Sequence, residues 1–281
     1  MKHLILLAFL FHGFASIAQN KSAKTIILVK GQKISVTTTN SADADMSMGM
    51  QMKNNSVSIN IITVTGENES GYVLTNTLTR LKATIEAMGE THDYDSDKES
   101  DRDSEMGKSM SDVIGKPINV SVNKFSGTAT FEKKDAGPEK PEKNPMEDIM
   151  AAFGNGGDDP SVAGAFLLIP DGKKSGDTWT ETDSTKGSHT VKSYTINSIM
   201  NNMATVSFTS FTNANSTVEV QGNQMEVTMS TKSKGMIVAD RKTSLVSKRS
   251  TDSDISGTID MMGQSMPVTA NSHLVSEYTV L

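Results

Sequence analysis

Alternation with a period of two residues constrains this 281-residue chain more than any other feature. It is plain in Val218-Glu219-Val220, in Met225-Glu226-Val227-Thr228-Met229 and in Met236-Ile237-Val238. Gly71–Arg80 alternates from Tyr72 through Leu74, and Ser56–Ile61 sets Val57, Ile59 and Ile61 on one face. Val120 and Val122, followed by Thr128–Phe131, bracket a turn at Ser126-Gly127. A strand sends successive side chains to opposite faces, so the pattern predicts antiparallel sheet with one wet side. Turn signals fall at Gly66, Gly89, Lys186-Gly187, Asn201-Asn202, Asn213–Asn215, Gly222-Asn223 and Gly263. Their spacing suits a meander, a barrel or a sandwich.

Helical period is rare. Met106, Met110, Val113 and Ile114 share a face and stop at Gly115; Met146, Ile149, Met150 and Phe153 do so after Pro145. Pro160 opens a third stretch through Val162 and Phe166, ending before Pro170. Helices with a single apolar face cover a sheet rather than build a bundle. The expected fold is therefore mainly β: antiparallel, strongly curved sheet, with short helices from 104–115 and 145–169 against its open side. The open half-barrel of periplasmic lipoprotein carriers is the analogue at the level of fold.

Residues 1–18 read as a secretory signal peptide. Lys2 precedes an apolar run from Leu4 to Phe11, and small residues follow at Ala15, Ser16 and Ala18. That run is far shorter than the ~20 residues a membrane-spanning helix needs, and no later stretch reaches that length. An exported chain, periplasmic or extracellular and not transmembrane, is the expectation. The remainder divides into an N-terminal β half (19–134), a Pro/Gly-rich linker with short helices (135–169) and a C-terminal β half (170–281). The halves echo one another: Gly31 before Ile34–Thr37 parallels Gly176 before Thr178–Thr180, and Val120–Phe131 parallels Val227–Val238. Duplication and shared alternation both produce such an echo.

The formal net charge of −6 offers no basic stripe for phosphates, which argues against a nucleic-acid partner. The absence of cysteine excludes disulfides, thiolate metal sites and cysteine nucleophiles. The chemistry worth weighing lies in Met46-Ser47-Met48-Gly49-Met50-Gln51-Met52 and in Met261, Met262 and Met266. On a strand, Met46, Met48, Met50 and Met52 share a face. Thioethers suit Cu(I), an apolar pocket or adaptable packing. No histidine stands beside either cluster, so these seven methionines are read as an apolar binding surface, with no metal or cofactor. Asp93–Glu105 alternates acids, yet neither frame puts Gly at the sixth and Glu at the twelfth place of a calcium loop, and it reads as a solvated loop. His92, His189 and His273 stand far apart without metal-site spacing. Ser121–Lys124 matches SxxK but falls in strand-like alternation, and Gly107-Lys108-Ser109 lacks the upstream glycine of a phosphate loop. A non-catalytic chain is expected. Trp179 and Tyr194 read as core anchors.

Phe166-Leu167-Leu168-Ile169-Pro170 followed by Gly176-Asp177-Thr178-Trp179 resembles a junction found in a family of exported, β-rich bacterial proteins of similar length with no assigned activity. Tyr94-Asp95-Ser96 ahead of the Met110–Ile114 helix matches that family's first half, and Gly235–Asp240 and Thr269–Thr279 match its closing strands. The Met-rich strand and the Pro-rich middle depart from it. The resemblance implies export and a β fold, and carries over no catalytic residue. Together these readings lead to an envelope binding or carrier module for an apolar ligand, a lipid or a hydrophobic peptide. The alternative is a structural protein that docks an envelope partner through a sheet edge or its outer face.

Overall fold

The computed structural model describes residues 24–46, 50–87, 89–132, 160–185, 187–220, 223–261 and 264–281. The strands are β1 (Lys33–Met46), β2 (Met50–Glu67), β3 (Gly71–Ala87), β4 (Glu90–Asp95), β5 (Pro117–Asn123) and β6 (Ala129–Phe131), then β7 (Thr178–Thr185), β8 (Ser188–Met200), β9 (Met203–Val220), β10 (Asn223–Asp240), β11 (Val246–Met261) and β12 (Gln264–Val280). Three short helices are described: α1 (Glu99–Arg102), α2 (Glu105–Met110) and α3 (Pro160–Ala163).

All twelve strands join one antiparallel sheet in the order β6-β5-β3-β2-β1-β12-β11-β10-β9-β8-β7. Strand β4 shares an edge of β3 with β5, pairing at 82–87 while β5 pairs at 71–77. The edges β6 and β7 do not pair, so the sheet stays open. From β7 the strands follow chain order to β12, continue with β1 and end at β6. The seam is the pairing of β1 with β12, from Ile34 opposite Val280 to Met46 opposite Val268, and the Leu281 N–H donates to the Lys33 carbonyl at 3.0 Å. The two β halves are thus one continuous sheet, each running across it in the same direction.

Strands of up to 18 residues reach about 60 Å at ~3.4 Å per residue, and the two ends of the sheet differ in what they bury. At one end, the base, the inner face carries Ile34, Val36, Ile62, Val64, Leu74, Val120, Ile196, Val206 and Ile237. Residues 24–30 and 160–170 close over them, contributing Ile26, Leu28, Val162, Phe166 and Ile169 to the same cluster. Backbone bonds fix this cover. The Ile26 N–H donates to the Lys124 carbonyl (2.9 Å), the Leu167 N–H to that of Ser244 (2.9 Å) and the Val246 N–H to that of Ala165 (2.9 Å). Each fully buried aliphatic side chain contributes about 1.5–3 kcal/mol relative to exposure, so the base anchors the fold.

Tyr72 pins the cover as well, its hydroxyl donating to the Ile26 carbonyl (3.2 Å) and accepting from the Leu28 N–H (3.3 Å). Tyr72→Phe strands both backbone groups in a buried site. The expected result is a loss of about 2 kcal/mol in denaturant unfolding, with faster hydrogen exchange at the Leu28 amide. Unchanged exchange there would show that the hydroxyl holds nothing.

Several local expectations need correction. Val57, Ile59 and Ile61 do share a face of β2, and it is the outward one, Val57 being 38% exposed, while Ser58, Asn60 and Ile62 point inward. Apolar alternation does not say which face is buried, and inward β2 residues pack opposite Thr38 and Val36 of β1. Gly66 is part of a bulge near the end of β2 rather than a turn, and Asn213–Asn215 lies within β9. Asn213 and Asn215 occupy exposed outward positions, where short polar side chains are tolerated as readily as in a turn. Asn201-Asn202 does form its turn, with φ of 49° and 68°. The acidic run is partly ordered: β4 ends at Asp95, with Tyr94 and Asp95 buried and Arg80 bonded to Asp97 at 2.9 Å. The helix expected to run to Phe166 stops at Ala163, because Phe166 pairs across to Leu245 as an isolated bridge. The helix expected at 146–153 lies outside the described residues.

Candidate ligand-binding trough

Cross-strand register sorts the inner face into rows. Next to the base runs Trp179, Tyr194, Phe208, Gly235, Thr251, Leu274, Asn40, Ser56, Ala83. Beyond it small residues take over. Lys192, Ser210, Ser233, Ser253, Ser272, Ala42 and Asn54 form one row, and Thr190, Thr212, Thr231, Ile255, Ala270, Ala44 and Met52 the next, with Glu181 and Asp183 of β7 at the edge of the two rows. Apart from Lys192 and these two acids, the rows are half-buried, whereas the outward residues between them are largely exposed. This long inner strip of small, half-buried side chains is the candidate trough. Four of its hydroxyls are satisfied across strands, Ser233 with Ser253 (2.9 Å) and Thr190 with Thr212 (2.9 Å). A hydroxyl already bonded to its neighbour loses less when an apolar group covers it. Towards the base the trough meets a cleft of about 240 Å³ lined by Thr38, Ser58, Asn60, Val113 and Ser161.

At the far end the inner face turns apolar again. Met225, Val227, Met229, Ile259 and Val268 form a second buried cluster, with Ile255 and Met266 packed against it. Gly257 makes room there: a Cβ at that position would stand 2.6 Å from the Met229 sulfur. Register also brings the two methionine groups of the sequence to this same end. Met46 pairs with Met50 and with Val268, Met52 with Ala44, Met261 with Met225, and Met266 with Ile259. Met48 and Met262 lie outside the described residues. Met225 and Met229 are the members that sequence clustering missed. The signal was present in the alternation of β10, but only the register places β10 beside β11 and β12.

Between trough and base, on β7–β9, sits an aromatic group. Trp179 stacks on Tyr194 at 4.7 Å between ring centroids, and Tyr194 meets Phe208 at 6.3 Å. Glu181 accepts from the Trp179 indole N–H (3.2 Å) and from the Tyr194 hydroxyl (3.1 Å). Burial, the Glu181 charge and that hydrogen bond hold the Tyr194 hydroxyl protonated well above the usual tyrosine range. These residues anchor the edge of the sheet and leave the phenol without acid–base use near neutral pH.

The histidines do not converge. His92 lies 3.5 Å from Glu90, His189 bonds Ser184 (2.8 Å) and His273 bonds Asp252 (2.6 Å), each pair exposed. Among the described residues no three His, Asp or Glu side chains are grouped to hold a metal ion. Among them too, no helix is long and apolar enough to cross a membrane. Part of the outer face is charged in alternation, as in the row Lys232, Asp254, Asn271, Asp43, Lys53, Glu86, while Val57, Phe211 and Met236 are exposed apolar residues on the same face.

A family model described as "Family of unknown function (DUF6263)" matches residues 69–246. No curated protein matches the sequence. Among solved structures, a lipovitellin determined for its lipid–protein interactions is similar at 8% identity and a TM-score of 0.47, over 90% of this chain and 26% of that one. The chain thus spans about a quarter of the lipovitellin chain. An outer membrane channel from Pseudomonas putida F1 is similar at 6% identity and a TM-score of 0.28, over 90% of this chain and 97% of that one.

Proposed function

The chain belongs to the DUF6263 family, whose description assigns no activity, and from that starting point we propose that it is a non-catalytic binding or carrier module for an apolar ligand. The supporting observation is the second apolar cluster, Met225, Val227, Met229, Ile259, Val268 and Met266, set at the far end of the inner face. On β10, Met229 and Ile237 are separated by eight positions, about 27 Å at ~3.4 Å per residue. The intervening inward residues of β10 are Thr231, Ser233 and Gly235. A core meant only to hold the sheet has no need of an apolar patch so far from its cover. Flexible thioethers suit a surface that must fit chains of differing shape. Export to the cell envelope, on the strength of residues 1–18, belongs to the same proposal.

Docking of an envelope protein through a sheet edge or the outer face is the second reading. It ranks lower because the middle of the outer face carries a row of alternating charges, its exposed Val57, Phe211 and Met236 lie on different strands, and the β7 edge carries Glu181 and Asp183, which discourage edge pairing.

A titration with the neutral probe N-phenylnaphthylamine, read by fluorescence, tests the proposal. Met225→Asp and Met229→Asp are expected to weaken binding about tenfold or more, a difference of about 1.4 kcal/mol, while Val57→Asp on the outer face leaves it unchanged. Equal affinity in all three variants, or no binding by the parent chain, would sink it. Mass spectrometry of lipid extracts from the gently purified protein then identifies the natural occupant.

A further inference from the structure

We infer that the trough holds its ligand in one direction, with an anionic head at Lys192 and Arg249 and the acyl tail towards the Met225–Met229 end. The inference rests on the apolar-binding reading above and names its ligand class: single-chain amphiphiles with a carboxylate or phosphate head.

Both cations lie on the inner face. Lys192 faces Ser210 on β9, and Arg249 stands in the row of Ile237 and Ser276. The Arg249 guanidinium sits over the Phe208 ring, 5.8 Å from its centroid. Gly235 makes this possible, since a Cβ there would lie 2.8 Å from the Phe208 ring edge and would collide with the Ser250 carbonyl oxygen. Among the described residues neither cation forms a salt bridge, and the Arg249 Nε is buried without a hydrogen-bond partner. Glu181 faces Lys192 from β7 and Asp183 follows it on the same side; Glu181 accepts from Trp179 and Tyr194, and its charge acts on Lys192 without an ion pair.

Two cations that no carboxylate reaches at ion-pair distance among the described residues, set beside an aromatic wall, offer a receptor for an anion. Lys192 is exposed. Even so, the strands around it strip enough solvent to lower its pKa, Arg249 lowers it further, and Glu181 and Asp183 oppose the shift only in part. A bound anion relieves both strains.

The spacing suits the tail. From the row of Lys192 to that of Met229 is four residues along β10, about 13 Å, and β8 to β10 is two strand spacings, about 10 Å. A twelve-carbon chain, with the reach of the Lys192 side chain, bridges that diagonal over Thr212 and Thr231. The acids nearest the tip, Glu226 and Asp260, alternate with its inward residues and lie on the other face. The site therefore carries its charged groups, Lys192 and Arg249 with Glu181 and Asp183 at the β7 edge, towards the base and is apolar at the tip.

The experiment is calorimetric titration of the full chain with dodecanoate, dodecyl phosphate and dodecanol. Lys192→Met and Arg249→Met are compared with the parent and with Arg249→Lys. The expected result is about tenfold weaker binding of the anionic ligands to each Met variant, unchanged dodecanol binding and partial recovery in Arg249→Lys. Dodecanoate against dodecyl phosphate separates a carboxylate from a phosphate preference. Thermal melting is run alongside, and Lys192→Met is expected to melt no lower than the parent, because it removes a desolvated charge. Anionic ligands and dodecanol losing equally in the Met variants, or none of the three losing, would overturn the assignment of the head while leaving an apolar trough. Absence of binding for all three ligands to the parent would overturn both readings together.

Discussion

Gly235→Val is expected to lower stability by about 3 kcal/mol or more, which for a chain of this size moves the melting temperature by roughly 6–12 °C. Strand β10 lies against β11 closely enough that any Cβ at this position would overlap the Ser250 carbonyl oxygen, and the Phe208 ring closes the other side at 2.8 Å. The obstacle on the β11 side is backbone, which cannot rotate away. The sheet must open there or Phe208 must leave its place. Displacing Phe208 also removes its contacts with Tyr194 and Arg249. Urea unfolding followed by the fluorescence of Trp179, the single tryptophan, checks the expectation. Because Trp179 stacks on Tyr194, its emission reports the same aromatic group. A Gly235→Val protein as stable as the parent would mean that β10 and β11 are farther apart than described.

Ile62→Ala carries the second large effect, about 2–5 kcal/mol. Ile62 is fully buried, paired with Ile34 on β1 and set among Val36, Val64 and Leu74. Removing three carbons there leaves a hole that the cover cannot collapse to fill, because residues 24–30 and 160–170 are tied by backbone bonds to Lys124, Thr243 and Ser244. Ile59→Ala, three residues earlier on the outward face, is expected to cost less than half as much. Midpoints of guanidinium unfolding for the pair measure the contrast. Equal losses would mean that the outward face of β2 is covered as well.

Those two isoleucines show what could be read from the chain. Period-two alternation announced strands and antiparallel pairing, and both are present. It did not say which side of each strand is buried. On β2 the visible stripe Val57, Ile59, Ile61 faces outward, while the inward set at mid-sheet consists of serines and asparagines. Half-burial of small polar residues leaves no hydrophobic trace in sequence, so the trough was invisible. Gly127 and Asn201-Asn202 were legible because a left-handed turn restricts residue choice. Asn213–Asn215 misled because exposed strand positions accept the same residues. The methionine groups were legible as clusters. Their meeting with Met225 and Met229 was not, since it depends on β12 lying between β1 and β11. Lys192 and Arg249, 57 positions apart, carry no local motif at all.

The seam between β1 and β12 has a consequence for how the polypeptide reaches its native state. Its first long strand must wait for its last, with more than two hundred residues synthesised between them, and until then the two flanking meanders present raw edges in mid-molecule. Such a dependence on distant partners slows folding and exposes nascent chains to wrong pairings. Premature termination between β8 and β12 therefore leaves two separate ribbons, and a holding chaperone has its greatest use during that interval.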